Sequence, residues 1–104
     1  MSQYKIVTYV PVENADAVRE AIANAGAGKS EKYSHASFSS RGVGRFKPLL
    51  GAHPAIGKIG KLEEVEEEKI EVTCDGGVLN KVLSAIRRAH PYEEPAIDAW
   101  EVKV

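Results

Sequence analysis

Apolar and β-branched residues run together from Tyr4 to Val10 (YKIVTYV), and Pro11, which has no N–H to give a ladder, ends the run; this predicts a first strand. After Asn14, a suitable N-cap, Val18, Ala21, Ile22 and Ala25 recur at helical spacing and Gly26 and Gly28 suit the exit, predicting a helix over 15–25. Tyr33 to Ser40 (YSHASFSS) alternates through Ala36 and Phe38 and predicts a second strand. Residues 41–60 hold five glycines and two prolines and read as a long excursion from a hairpin, the kind of loop that often carries function. From Lys61 an acidic, solvated stretch passes into Ile70, Val72 and Cys74 in strict alternation; Val65 does not share that parity, so a bulge or bend is expected before Ile70. Asp75-Gly76-Gly77 reads as a turn. Leu79, Val82, Leu83 and Ile86 mark a second helix, with Arg87, Arg88 and His90 at its negative pole and Pro91 as its stop. Ala96 to Val104 closes as a strand with Trp100, Val102 and Val104 on one face.

The order is βαββαβ, an α+β, ferredoxin-like arrangement: a four-stranded antiparallel sheet with both helices on one face. The first strand is apolar on both sides, with Tyr4, Ile6 and Val10 on one and Val7 and Tyr9 on the other, yet two helices cover only one. Packing of the second face in a homo-oligomer is therefore expected, although Glu71 and Thr73 make that face less apolar.

At 104 residues the chain has the length of one domain, spanning 1–104, and its 43% hydrophobic and 28% charged residues exclude a disordered polyelectrolyte. With 14 Lys+Arg against 15 Asp+Glu, the formal charge of −1 lacks the footprint of a nucleic-acid binder, and no nucleic-acid partner is expected. No apolar run approaches the roughly 18 residues of a membrane span, so no membrane association is expected. The first residues show no signal-peptide core and Cys74 has no partner, which predicts a cytoplasmic chain; its alternation with Ile70 and Val72 makes Cys74 a buried, inert thiol rather than a nucleophile.

Candidate chemistry is concentrated in His90-Pro91-Tyr92-Glu93-Glu94-Pro95, where an imidazole, a phenol and two carboxylates sit on a backbone stiffened by two prolines. An imidazole and a carboxylate can share a divalent metal or shuttle protons; the plainer reading is a helix cap and turn. Arg45 and Lys47 in Gly42-Val43-Gly44-Arg45-Phe46-Lys47 can meet an anion, although that segment lacks the third glycine and the strand-to-helix setting of a dinucleotide fingerprint. Ala23-x-x-x-x-Gly28-Lys29-Ser30 fits a relaxed phosphate-loop pattern but sits at a helix exit rather than opening a helix. His35, His53 and His90 lie too far apart for zinc-finger spacing. His35 joins the candidate ligand set from the second strand, an edge strand in the expected order, through a neighbouring subunit's cleft.

The phrases SHASFSS, FKPLLGAHPAIGKIGKLEEVEE and AHPYEEPAIDAWEV resemble the PII/CutA-like domain found inserted in YqfO-type members of the Nif-three-like family, and the resemblance spans nearly the whole chain. It implies a ferredoxin-like fold and, by similarity to PII and CutA proteins, a homotrimer with its sheets facing inward. The metal-ligating halves of the full-length relatives are outside this sequence, so their hydrolase-like activity is not carried over. The segment Gly28-Lys29-Ser30-Glu31-Lys32-Tyr33 departs from the family's GHIGNY-like pattern and His53 stands where Asn is usual, which weakens an inherited site at that end. The expectation is a small oligomeric module without its own catalytic centre, binding a small ligand or a divalent metal through His35, His90, Tyr92, Glu93, Glu94, Arg45 and Lys47. The alternative is a small ferredoxin-like enzyme with a His/Glu acid–base pair.

Overall fold

The computed structural model describes residues 2–104. Strand β1 (Gln3–Pro11) leads through a 3-10 turn (Val12–Asn14) into helix α1 (Ala15–Asn24); β2 (Phe38–Phe46) and β3 (Glu63–Asp75) form a long hairpin; a second 3-10 turn (Gly76–Val78) opens helix α2 (Leu79–Ala89), and β4 (Ile97–Val102) closes the sheet. The strands lie in the order β2-β3-β1-β4, every pair antiparallel, as the ferredoxin-like reading requires.

Register divides the residues between two faces. Ile6 pairs with Val72 and Thr8 with Ile70, and this set, with Val10 and Cys74, is buried against Val18 and Ile22 of α1 and Val82 and Ile86 of α2. These side chains supply the apolar area that drives folding, about 25 cal/mol for each Å² withdrawn from water. Cys74 is buried as expected, and burial pushes its thiol pKa up. The opposite face carries Lys5, Val7 and Tyr9 of β1, Glu67, Lys69 and Glu71 of β3, and Asp98 and Trp100 of β4. Val7 is buried there, while Phe38 (67% exposed) and Trp100 (48%) face outward on the two edge strands.

Three expectations are corrected. The second strand is displaced: it begins at Phe38 and runs through Phe46, so His35 lies before it, at φ 62°, and residues 41–46 are strand rather than loop. Glycines at 42 and 44 weaken strand propensity, but the backbone pairing of Phe38–Phe46 with Glu63–Glu71 holds this edge strand in place, with the ion pairs Arg41–Glu68 (3.9 Å) and Arg45–Glu64 (3.2 Å) as minor additions. The expected bulge before Ile70 is absent, because β3 pairs in unbroken register with β1 over Glu67–Asp75 and with β2 over Glu63–Glu71. Asn14 precedes α1 but makes no side-chain cap, since the 3-10 turn feeds the helix directly. The β2–β3 hairpin extends past the end of β1 and gives the molecule its 47 Å long axis.

Gly28 closes the segment after α1. Its N–H donates to the Thr73 carbonyl (2.8 Å), its own carbonyl accepts from Ala36 N–H (3.0 Å), and its φ is +71°. A Cβ at this position would collide with the Ala36 backbone. Gly28→Ala is therefore expected to lower stability by at least the roughly 1–3 kcal/mol of a strained backbone, read as a lower urea midpoint at unchanged slope. An unchanged midpoint would mean that this crossing is not rigid.

Candidate functional site

Helix α2 ends where His90 N–H donates to Ile86 O (2.8 Å) and the chain turns extended, as the following Pro91 demands. The His90 ring then swings under the sheet. Its Nε2 lies 2.7 Å from the Tyr9 carbonyl oxygen, and since a carbonyl only accepts, Nε2 carries the proton. Nδ1 accepts from Tyr92 N–H at 3.1 Å. Both ring nitrogens are thus engaged by main chain in the neutral tautomer, and burial lowers the His90 pKa against the smaller raising effects of the Tyr9 carbonyl and Glu67.

Tyr92 is aimed by this turn. Its ring meets Phe46 edge-on (centroids 5.5 Å, 61°) and tilts against His90 (5.0 Å, 48°), and its hydroxyl donates to Glu67 Oε2 at 2.8 Å. Burial, with the Glu67 carboxylate, raises the Tyr92 pKa well above the phenol range. Glu67 is only 8% exposed and lies across Gly44 of β2, where an added Cβ would run into its carboxylate. Glu93 Oε1 accepts His53 N–H (2.8 Å), and Thr8 Oγ1 donates to Ala96 O (2.9 Å), which tie the corner to the 47–62 loop and to β1.

Around this assembly is a cavity of about 950 Å³, bounded by the end of β2, the loop through Ile56, and Tyr92, Glu93 and Glu94. Arg45 and Lys47 stand at its wall as well. Of the expected site residues, therefore, Arg45, Lys47, Tyr92, Glu93 and Glu94 share one cavity. His90 stands behind its wall, with no free nitrogen for a metal or a proton relay. His35 is elsewhere in the chain, in a small hollow beside α1, with Nε2 3.8 Å from Glu20 Oε1 and Nδ1 2.9 Å from Ser34 Oγ. Among the described residues no group of three His, Cys, Asp or Glu side chains could hold a metal ion. Sequence reading passed over Glu67, Phe46, Tyr9 and Lys69, which line or build the site.

Two tests follow from this geometry. The folded state holds His90 neutral with a lowered pKa, so the unfolded chain binds the extra proton; stability is present above about pH 6.5 and is lost as pH falls below it. Urea midpoints should drop between pH 7.5 and 5.5, and His90→Gln, less stable at pH 7.5, should show a flatter profile. Equal pH slopes would remove His90 from this role. Secondly, Gly44→Ala and Tyr92→Phe both disrupt the Glu67–Tyr92 hydrogen bond, each costing roughly 1–3 kcal/mol. Their double variant should cost less than the sum; strict additivity would show that they act apart.

Comparison with known proteins places this architecture. No protein-family model matches the chain. The proteins named "GTP cyclohydrolase 1 type 2 homolog" are 52% identical over 99 residues in Halalkalibacterium halodurans and 48% identical over 99 residues in Bacillus subtilis. Each match covers 95% of this chain and 27% and 26% of those proteins, so the chain spans about a quarter of their length. The crystal structure of a Nif-three-related protein of Bacillus cereus superposes with a TM-score of 0.84 at 42% identity, over 99% of this chain and 26% of that one. The periplasmic divalent cation tolerance protein CutA of Archaeoglobus fulgidus shares the fold along most of its own length, with a TM-score of 0.69 at 16% identity over 98% of this chain and 85% of that one. The GlnK–ATP complex of Bacillus subtilis also shares it, at a TM-score of 0.63 and 14% identity over 98% of this chain and 84% of that one. The chain has the fold of the CutA and GlnK structures, and its sequence is similar to about a quarter of the length of the Nif-three-related proteins.

Proposed function

We propose that this domain is a self-associating, non-catalytic binding module that holds a small molecule in the cavity between the end of β2, the 47–62 loop and the Tyr92–Glu94 corner, and that it works as a regulatory element. The observation that carries the reading is the cavity itself: about 950 Å³, with an aromatic pair and aliphatic loop residues on its walls and a few charged groups converging on it. That a fold neighbour was solved as an ATP complex, and that others are named for divalent cation tolerance, supports a binding role at the level of fold. A small ligand accords better with the geometry than a metal, because His90 has both nitrogens engaged and, among the described residues, no three His, Cys, Asp or Glu side chains are grouped to hold a metal ion. For the same reason the acid–base alternative lacks a free imidazole at this corner.

A homotrimer is the assembly we infer. Phe38 and Trp100 are exposed on opposite edges of the sheet, and Leu50, 93% exposed, projects from the loop, an apolar distribution that a lone subunit of this size leaves in water. That His35 lies in a neighbouring subunit's cleft remains part of this trimer proposal, since the structure places it before β2 and apart from its own subunit's cavity.

Native mass spectrometry of the purified protein tests both parts. It should show three times the 11.3 kDa subunit mass, and an uncharged apolar probe such as N-phenyl-1-naphthylamine should be retained by the wild type and lost by Ala52→Trp, which fills the cavity. A stable monomer at micromolar concentration overturns the assembly. Equal retention by the variant overturns the site.

A further inference from the structure

The wall of the cavity carries a buried charge that is only half satisfied. Glu67 is 8% exposed; its Oε2 accepts from Tyr92, and among the described residues no donor hydrogen-bonds its Oε1. Among the described residues no sealed side-chain oxygen or nitrogen lacks a hydrogen-bond partner, so Oε1 opens to the space that Glu67 lines. Gly44 leaves that opening, since a Cβ there would occupy it.

The basic residues around the cavity are committed to other carboxylates. Arg45 pairs with Glu64 (3.2 Å), Arg41 shares Glu68 (3.9 Å) with Arg19, and Lys69 shares Glu71 (3.8 Å) with Lys5. Lys47 makes no ion pair among the described residues. Against it stand Glu67 Oε1, the second oxygen of Glu93, whose first takes His53 N–H, and Glu94, which makes no ion pair. Among the described residues three carboxylates without an ion pair, Glu67, Glu93 and Glu94, thus line the cavity against one such cation, Lys47, although Arg45 and Lys47 in the sequence suggest an anion site. A half-satisfied carboxylate in a mostly apolar surround gains most from a charged N–H donor, whereas an anionic head group would meet it as a like charge.

We propose that the cavity receives a small amphipathic cation, an amine or guanidinium head on an apolar body, with the head on Glu67 Oε1 and the body against Phe46, Pro54 and Ile56. This deepens the binding-site reading above and rests on it. Tyr92 is a positioning residue here: it holds Oε2, which turns Oε1 to the cavity.

A matched series separates the two claims. Phenylbutylamine, phenylbutanol and phenylbutyrate have one body and three head charges, and their affinities can be measured by calorimetry and by amide shifts of Gly44, Phe46 and Tyr92 at neutral pH. The amine should bind at least about ten-fold tighter than the alcohol, a difference of about 1.4 kcal/mol, and the acid weakest. In Glu67→Gln, whose amide oxygen still accepts from Tyr92, the amine should fall to the affinity of the alcohol. Should that variant not fold, Glu94→Gln should narrow and Lys47→Ala widen the amine-to-alcohol ratio. Alcohol or acid binding as well as the amine, or ratios that no variant moves, overturns the cation inference and leaves the cavity as a site. If none of the three compounds shifts those amides, the binding-site reading falls, and this inference with it.

Discussion

A carboxylate placed inside the protein is the constraint around which this end of the molecule is arranged. Withdrawing a charge from water costs several kcal/mol unless donors replace the lost hydration. Glu67 on β3 finds its protein donor in the Tyr92 hydroxyl and its room over Gly44. Those two partners come from segments distant in sequence, so one buried charge determines what β2 can carry at position 44 and how the chain must turn after α2. His90 completes the arrangement by fixing the turn from below, bonded to Tyr9 of β1 and to the Tyr92 amide. The tautomer is dictated by the two main-chain groups, and the pKa of the ring falls in consequence of its burial.

The long hairpin shows how charged residues can build a strand without a core beneath them. Residues Glu63–Glu66 pair only with β2, beyond the reach of β1. Exposed ion pairs such as Arg45–Glu64 contribute little individually, on the order of 0–1 kcal/mol, so the backbone ladder and the anchoring of Arg19 matter more. Arg19 of α1 reaches Glu68 (2.5 Å) and Ser39 Oγ (3.1 Å), linking the helix layer to both strands at the hairpin's base. The hairpin is therefore positioned at its base and open along its length, which leaves a concave space between it and the corner.

The parts of the fold legible in the sequence were those with one dominant period. YKIVTYV, the α1 and α2 repeats and the Ile70-Val72-Cys74 alternation each appear where the pattern puts them, because burial of one face decides them. The β2 strand was misplaced since its signal comes from its partner: glycines at 42 and 44 read as loop until β3 lies beside them. Val65, taken as a break in parity, was in fact the trace of a second face, the odd-numbered positions of β3 that also include Glu67. A run of glutamates looks solvated at every position. Nothing local distinguishes the one that is buried, because its burial depends on a tyrosine 25 residues away. The HPYEEP corner was legible as chemistry but its roles were not: the imidazole serves the backbone, and the phenol and carboxylates face the cavity.

Strand β3 thus divides its work by parity. Ile70, Val72 and Cys74 face the helices and belong to the core, whereas Glu67, Lys69 and Glu71 look to the other side of the sheet. The two sets share a backbone but point to opposite faces, so substitutions at the odd positions change charge and cavity shape without opening the core. Their effects travel instead through Tyr92 to the corner, and from the corner through Glu93 to the loop at His53. The same fold is found in structures as dissimilar as 14–16% identity, as expected where the open face is free to change without touching the core.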